Sequence, residues 1–273
     1  MNCKNVMAAA FCIAFLSGVA SIGLCGEKTP PSPGPATSMM VEADVALNAM
    51  TAIVEGRMKN VEDILGILSL TDAVKSGEWK KMKPLLEASE KQGLPALLWY
   101  ARPDGSYFTV EKDLTDQNLK DRDYFPKVLS GKKVKGALVV SHSTGKKVAV
   151  VAVPVKEKGR VKAVLGASVF LEKLNQIVKN DLELPGDMLF FVLDKKGETI
   201  LNWKDERIFA YPTKQESKSM VLAVKEMLEK GKGWVEYDYH SKRRRMIYQT
   251  SSETGWIFSI GKFVEEKKPK KKK

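Results

Sequence analysis

The sequence predicts an α+β protein: a long N-terminal helix followed by two tandem modules, each an antiparallel sheet flanked by helices. Three observations predict it. Apolar residues recur at helical spacing from Val41 to Leu70. Strand–turn–strand signals surround Pro103-Asp104-Gly105 and again Asp194-Lys195-Lys196-Gly197. A helix pattern and three more strand patterns follow each of them, so both halves share the order strand–strand–helix–strand–strand–strand. Helices kept to one side of an antiparallel sheet satisfy that order. The halves share a pattern, not residue identities.

The chain has 273 residues, room for one large domain or two small ones, and at 44% hydrophobic it can bury a real core. Its formal net charge is +12, to which Lys4 and the six lysines between Lys267 and Lys273 contribute seven, leaving +5 for the body. A charge excess gathered in a tail is a solvated terminus or a rest on phosphate-bearing surfaces, not a nucleic-acid face. Cys3, Cys12 and Cys25 all precede Gly26, so the body holds neither a disulfide framework nor a cysteine zinc site. With His142 and His240 as the only histidines, a His-rich metal site is excluded too. No cofactor is implied.

The N-terminus reads as an export signal over residues 1–26. Lys4 supplies the positive end, and Val6 to Leu24 is apolar and small. Three outcomes stay open: cleavage after Ala20, lipidation at Cys25, or an uncleaved anchor. Ile22-Gly23-Leu24-Cys25 resembles a lipobox, although Leu24 departs from the small residue usual there. Either of the last two would tie the N-terminus to a membrane. Residues 27–40, with four prolines between Thr29 and Ala36, read as an extended linker.

Residues 41–180 then comprise the long helix and the first module. Met50, Ile53, Val54, Met58, Val61, Ile64, Leu65 and Leu68 form the helix's apolar stripe. The stripe reads as core contact; because it also fits a loose heptad, a homodimer seam is the alternative. A second helix is expected from Glu78 to Gln92, stopped by Gly93. Strands follow at 96–102 and 106–110, a short helix over Tyr124 to Ser130, strands at 136–143, 147–156 and 161–169, and a helix over Leu171 to Asn180. Residues 181–264 form the second module, with strands at 188–193, 198–203, 234–239, 244–250 and 256–261 and a helix over Ser217 to Lys230. Trp203, Trp234 and Trp256 are expected to fill its core, and Lys242-Arg243-Arg244-Arg245 to be a solvated turn. Residues 265–273 are the lysine-rich tail.

Asn118 to Ser168 carries the candidate site. An arginine and aromatics in Asp121-Arg122-Asp123-Tyr124-Phe125 precede Ser141-His142-Ser143-Thr144-Gly145-Lys146, Val153-Pro154-Val155 and Gly166-Ala167-Ser168-Val169. Apolar walls with a few polar groups suit a pocket for a small anion. No nucleophile elbow or placed acid surrounds Ser141-His142-Ser143, so binding is favoured over catalysis and the chain is not read as an enzyme.

Taken together, these segments resemble the double Cache family, the extracytoplasmic sensor domains of bacterial chemoreceptors and histidine kinases. The resemblance spans about Val41 to Phe263. It implies a long helix carrying two PAS-like modules, the membrane-distal one holding the ligand and the membrane-proximal one usually empty. It also implies a periplasmic or otherwise extracytoplasmic location.

The resemblance places the amino-acid-binding members' carboxylate-binding arginine on Arg122 and the aromatics after it on Tyr124 and Phe125. An earlier tyrosine falls on Gln117. The tyrosine and aspartate before the Thr-Gly turn fall on Val139 and Ser141, and a late aspartate on Ser168. The carboxylate end is therefore kept, whereas both aspartates that hold an ammonium are replaced by serine. A desolvated ammonium without a partner costs several kcal/mol, against about −8 kcal/mol for all of micromolar binding. The expected ligand is thus a small organic acid without an amine. The bland alternatives are that Arg122 merely pairs with Asp121 or Asp123 and that Tyr124 and Phe125 are core. Signalling is expected to pass to a separate, unidentified membrane or periplasmic partner protein; a Cache scaffold acting only through protein contacts is the runner-up.

Overall fold

The computed structural model describes residues 35–92, 95–214 and 217–264. The expected leader with its three cysteines, residues 27–34 of the linker, Gly93 and the lysine tail lie outside them.

Helix α1 runs over Pro35–Ser69, 35 residues, or about 50 Å at ~1.5 Å per residue. It begins inside the stretch read as linker. Proline is tolerated in a first helical turn, where its missing N–H has no partner to lose, so Pro35 opens the helix rather than blocking it. Met50, Val54, Met58, Val61 and Leu65 are essentially inaccessible. Burying each such side chain stabilises by about 1.5–3 kcal/mol, so packing rather than propensity holds this helix. Gly56 and Gly66 face open space and do not interrupt it. The stripe is buried inside the chain, against both sheets. Any self-association through α1 therefore falls to its outer face, where Val45 and Ile67 are exposed.

A one-turn helix α2 (Asp72–Lys75) is capped by Thr71, whose hydroxyl accepts from the Val74 N–H at 3.4 Å. Helix α3 (Trp79–Lys91) leads to the first sheet. Its strands are β1 (Ala96–Ala101), β2 (Ser106–Thr109), β3 (Asp113–Asn118), β4 (Val134–Val140), β5 (Lys147–Glu157) and β6 (Arg160–Phe170), in spatial order β3-β2-β1-β6-β5-β4. All neighbours are antiparallel. Sequence reading missed β3, whose Asp-Leu-Thr-Asp-Gln-Asn lacks apolar alternation. It is a solvated edge, where polar side chains also discourage strand addition.

Helix α4 (Phe125–Leu129) crosses one face of this sheet, and helix α5 (Leu171–Leu182) leads to the second. There β7 (Met188–Leu193), β8 (Thr199–Asn202), β9 (Lys232–Tyr239), β10 (Lys242–Thr250) and β11 (Ile257–Phe263) lie in the order β8-β7-β11-β10-β9. Helix α6 (Lys218–Lys230) covers one face, capped by the Ser217 hydroxyl and ended by Gly231 at φ 70°. The tandem architecture is the one the sequence predicts.

The modules are joined by more than the chain. Asn175 of α5 is fully buried; its amide donates to the Asn202 carbonyl at 2.7 Å and accepts from the Asn202 N–H at 3.1 Å. Lys135 of β4 meets Glu62 of α1 at 3.5 Å and Glu253 of the second module at 2.7 Å. Gly136 sits at a bulge in β4 with φ 84°, and a Cβ there would stand 2.8 Å from Trp256. Trp256 thus packs between the modules. Trp203 is partly buried, but Trp234 departs from expectation: it lies on edge strand β9, 56% exposed, with Arg245 over its ring.

Candidate functional site

The first sheet has two faces. Leu98, Tyr100, Val151 and Leu165 turn toward α1. Trp99, Tyr107, Val148, Val150 and Val164 turn toward α4 and the segment preceding it. The candidate site lies on the second face.

The turn after β3 delivers Arg122. The Arg122 N–H donates to the Leu119 carbonyl at 3.0 Å, and its own carbonyl accepts from Phe125 at 2.9 Å. This winding aims the side chain back across the sheet, where one terminal nitrogen donates to the Val140 carbonyl at 2.8 Å. Its Nε is buried with no hydrogen-bond partner. Among the described residues Arg122 makes no ion pair; Asp121 and Asp123 stand exposed beside it. A buried donor left without an acceptor costs about 1–3 kcal/mol, so an arriving anion would relieve a standing deficit.

Arg122, Tyr124, Val139, Ser141 and Ser168 line one cavity, together with His142 and with Trp99 and Tyr107, which sequence reading did not single out. No carboxylate among the described residues lines it. Tyr124 is 5% exposed, and burial raises its phenol well above the ordinary range, with Arg122 pulling the other way, so it stays a neutral donor. Phe125 is buried in the core and outside this lining. The Ser141 hydroxyl lies 3.2 Å from that of Ser143 and accepts weakly from the Thr144 N–H at 3.4 Å. Ser168 faces inward from β6, opposite Val150 of β5.

Gln117 is not brought to the site. Between β2 and β3 the pairing jumps from Ser106↔Asn118 to Phe108↔Leu114, so residues 115–117 loop out opposite Tyr107. Gln117 is left exposed at the edge.

The cavity is small, about 20 Å³, close to the room one water needs. Arg122, Tyr124 and Val139 also border a much larger cleft of about 680 Å³ between the modules. These three side chains are thus a partition between cavity and cleft. A shift of Arg122 and Tyr124, which lie outside the strands, would enlarge the cavity without disturbing the sheet.

Trp99 forms the floor, with ring contacts to Tyr107 (centroids 6.5 Å) and Tyr124 (6.4 Å). It lies across Gly166, its partner on β6; a Cβ at 166 would be 2.2 Å from the indole. Gly166 is therefore what leaves room for the indole on this face of the sheet. The alternation of β1 held the signal for Trp99, but the partner strand that places it could not be read from local pattern. Among the described residues, no group of three or more His, Cys, Asp or Glu could hold a metal ion.

The model of the Cache domain family matches residues 37–266. No curated protein sequence matches the chain. Among solved structures, the ligand-binding domain of the Campylobacter jejuni chemoreceptor Tlp3 in complex with L-norvaline aligns at TM-score 0.64 and 15% identity, covering 83% of this chain and 91% of that one. The Pseudomonas fluorescens chemoreceptor CtaA domain in complex with L-serine aligns at 0.62 and 12%, covering 83% and 96%. The extracellular domain of the putative histidine kinase rpHK1S-Z16 aligns at 0.65 and 15%, covering 84% and 94%. At such identities the likeness is one of fold, and among the described residues no helix is long and apolar enough to cross a membrane. With the family model spanning both modules, the chain belongs to the double Cache family of non-enzymatic, extracytoplasmic sensor domains.

Proposed function

We propose that the chain binds a small organic carboxylate lacking an amine, such as a short monocarboxylate or hydroxy acid, in the first module. The observation that carries this is the unpartnered Arg122 Nε in a cavity lined by Ser141 and Ser168 and by no carboxylate. An arginine fork gives a carboxylate charge-assisted hydrogen bonds, often two in parallel. The serine hydroxyls suit a neutral or hydroxylated tail. The ligands named for Tlp3 and CtaA are α-amino acids; here nothing charged would meet their ammonium. Ligand entry moves the partition of Arg122, Tyr124 and Val139, and the change reaches a separate partner protein as a change of affinity. Helix α1, packed on both sheets, is the element through which the second module would sense it.

One observation favours the scaffold reading instead, in which the fold acts through protein contacts alone. A cavity of about 20 Å³ admits no organic acid unless the partition moves. Thermal-shift titration of the purified body against short organic acids and amino acids separates the two. Stabilisation by an organic acid, absent in Arg122→Gln, supports binding. No stabilisation by any small acid supports the scaffold.

A further inference from the structure

The basic run Lys242-Arg243-Arg244-Arg245 is not a solvated turn. The turn itself is His240-Ser241, both at positive φ (49° and 57°), as a tight two-residue hairpin between β9 and β10 demands. Strand alternation then divides the run. Arg243 and Arg245 project to one face and pair with Glu236 at 2.7 and 2.5 Å. Arg244 projects to the other, toward α6, and is only 8% exposed.

There it has no acidic partner. Among the described residues Arg244 makes no ion pair, and its Nε is buried without a hydrogen-bond acceptor. Its guanidinium carbon lies 4.8 Å from the ring centroid of Tyr239, 5.4 Å from that of Phe263 and 5.8 Å from that of Tyr237. A second guanidinium, Arg207, approaches the Tyr239 ring at 4.9 Å. Rings attract a guanidinium through its face but offer nothing to the N–H groups in its plane. The Tyr237 hydroxyl beside it is buried, and the Arg244 guanidinium is the polar group that faces it.

Arg244, Arg207, Tyr237 and Tyr239 border a cavity of about 30 Å³ together with Lys204, Asn202 and Met220, and no carboxylate among the described residues lines it. Among the described residues, two arginines and a lysine are held together there without a counter-charge, which leaves unbalanced positive charge in a partly desolvated place. The cavity occupies, on the second sheet, the position between sheet and covering segments that the Arg122 cavity occupies on the first.

We propose that the second module carries its own anion site, built on Arg244, that takes a one- or two-carbon carboxylate. The planar guanidinium and the flanking rings suit a flat anion. The cavity of about 30 Å³ limits its size and, like the first one, has to widen to admit it, here by movement of the exposed His240 turn. Lys204, Arg207 and His240 form the entrance, so the ligand enters past the hairpin turn and the segment after β8. The chain then binds acids at two independent places, one per module.

The test uses the chain carrying Arg122→Gln, which silences the first site, with methionine methyl groups labelled by carbon-13. Acetate is titrated in, against sodium chloride at matched ionic strength. The expected result is a saturable shift of the Met220 methyl signal with acetate alone. In the added presence of Arg244→Gln, the apparent affinity drops at least about tenfold, the worth of a charge-assisted hydrogen bond. Arg244→Lys, which keeps the charge and loses the planar fork, also weakens acetate. Either a Met220 signal that acetate leaves still, or one that follows chloride equally, overturns the proposal. So does unchanged saturation in a folded Arg244→Gln protein; should that variant unfold, Arg244→Lys decides by the same criterion. Because the first site is silenced throughout, failure here leaves the Arg122 reading untouched.

Discussion

Gly166→Ala puts the architecture of the first site to a quantitative test. Gly166 has no need of left-handed backbone, so the change carries no backbone strain. Its whole cost is steric. The added Cβ would stand 2.2, 2.4 and 2.5 Å from three indole atoms of Trp99, where ordinary contact begins near 3.4 Å. The indole must therefore move by more than about 1 Å. Trp99 is 3% exposed and hemmed by Tyr107 and Tyr124. The room left to it is the cavity of about 20 Å³, little more than one water needs. Overpacking of this kind costs about 1–3 kcal/mol. For a chain of this size that lowers Tm by roughly 4–8 °C at the middle of the range. Scanning calorimetry of Gly166→Ala, Trp99→Phe and the double variant checks it. The two changes should be non-additive by about 1 kcal/mol or more, the double variant being more stable than the sum of its parts. A Gly166→Ala protein that melts within about 1 °C of the parent would show that Trp99 is not packed on residue 166, and the floor of the site would be misplaced.

Three further outcomes follow from the same structure. Asn175→Leu strips the Asn202 N–H and carbonyl of their buried partners; at about 1–3 kcal/mol for each orphaned group, chemical denaturation should show a loss of about 2–6 kcal/mol. At Glu62, burial works to raise the carboxyl, but Lys133 and Lys135 outweigh it and hold it below its ordinary 4.5. A depressed carboxyl stabilises the fold fully above its unfolded pKa and loses that contribution as pH falls through the folded one. Glu62→Gln should therefore cost at most about 1 kcal/mol at neutral pH, with the difference from the parent vanishing in melts run progressively below the ordinary carboxylate range. Ser168→Asp should return a counter-charge for an ammonium: α-amino acid affinity, measured by calorimetry, should rise about tenfold or more, while organic acid affinity falls.

The fold was largely legible because its signals are local. Asp104-Gly105 and Lys196-Gly197 mark tight turns, and the β-formers around them alternate with the sheet faces. Where the signal was not local, reading failed. Strand β3 pairs through its backbone with no apolar side chain to announce it. Trp234 looked like core by composition, yet an edge strand exposes it. Arg244 looked like part of a charged turn, and only the register of β10 against β9 shows that it faces inward beside Tyr237.

The first site shows the same division. Arg122, Tyr124, Val139, Ser141 and Ser168 converge on one cavity, an outcome that family resemblance anticipated and spacing alone could not. Gln117 was misplaced because a register jump opposite Tyr107 is silent in sequence. Trp99 and Tyr107 were overlooked because their place beside Arg122 is decided across strands.

The most direct measurement is a calorimetric comparison of lactate and L-alanine on the same purified chain. The two share a carboxylate and a carbon skeleton and differ only in hydroxyl against ammonium. The account predicts that lactate binds, that alanine binds at least about tenfold more weakly, and that Arg122→Gln abolishes the lactate signal at the first site. Alanine binding as tightly as lactate, or lactate binding that survives Arg122→Gln, would contradict it.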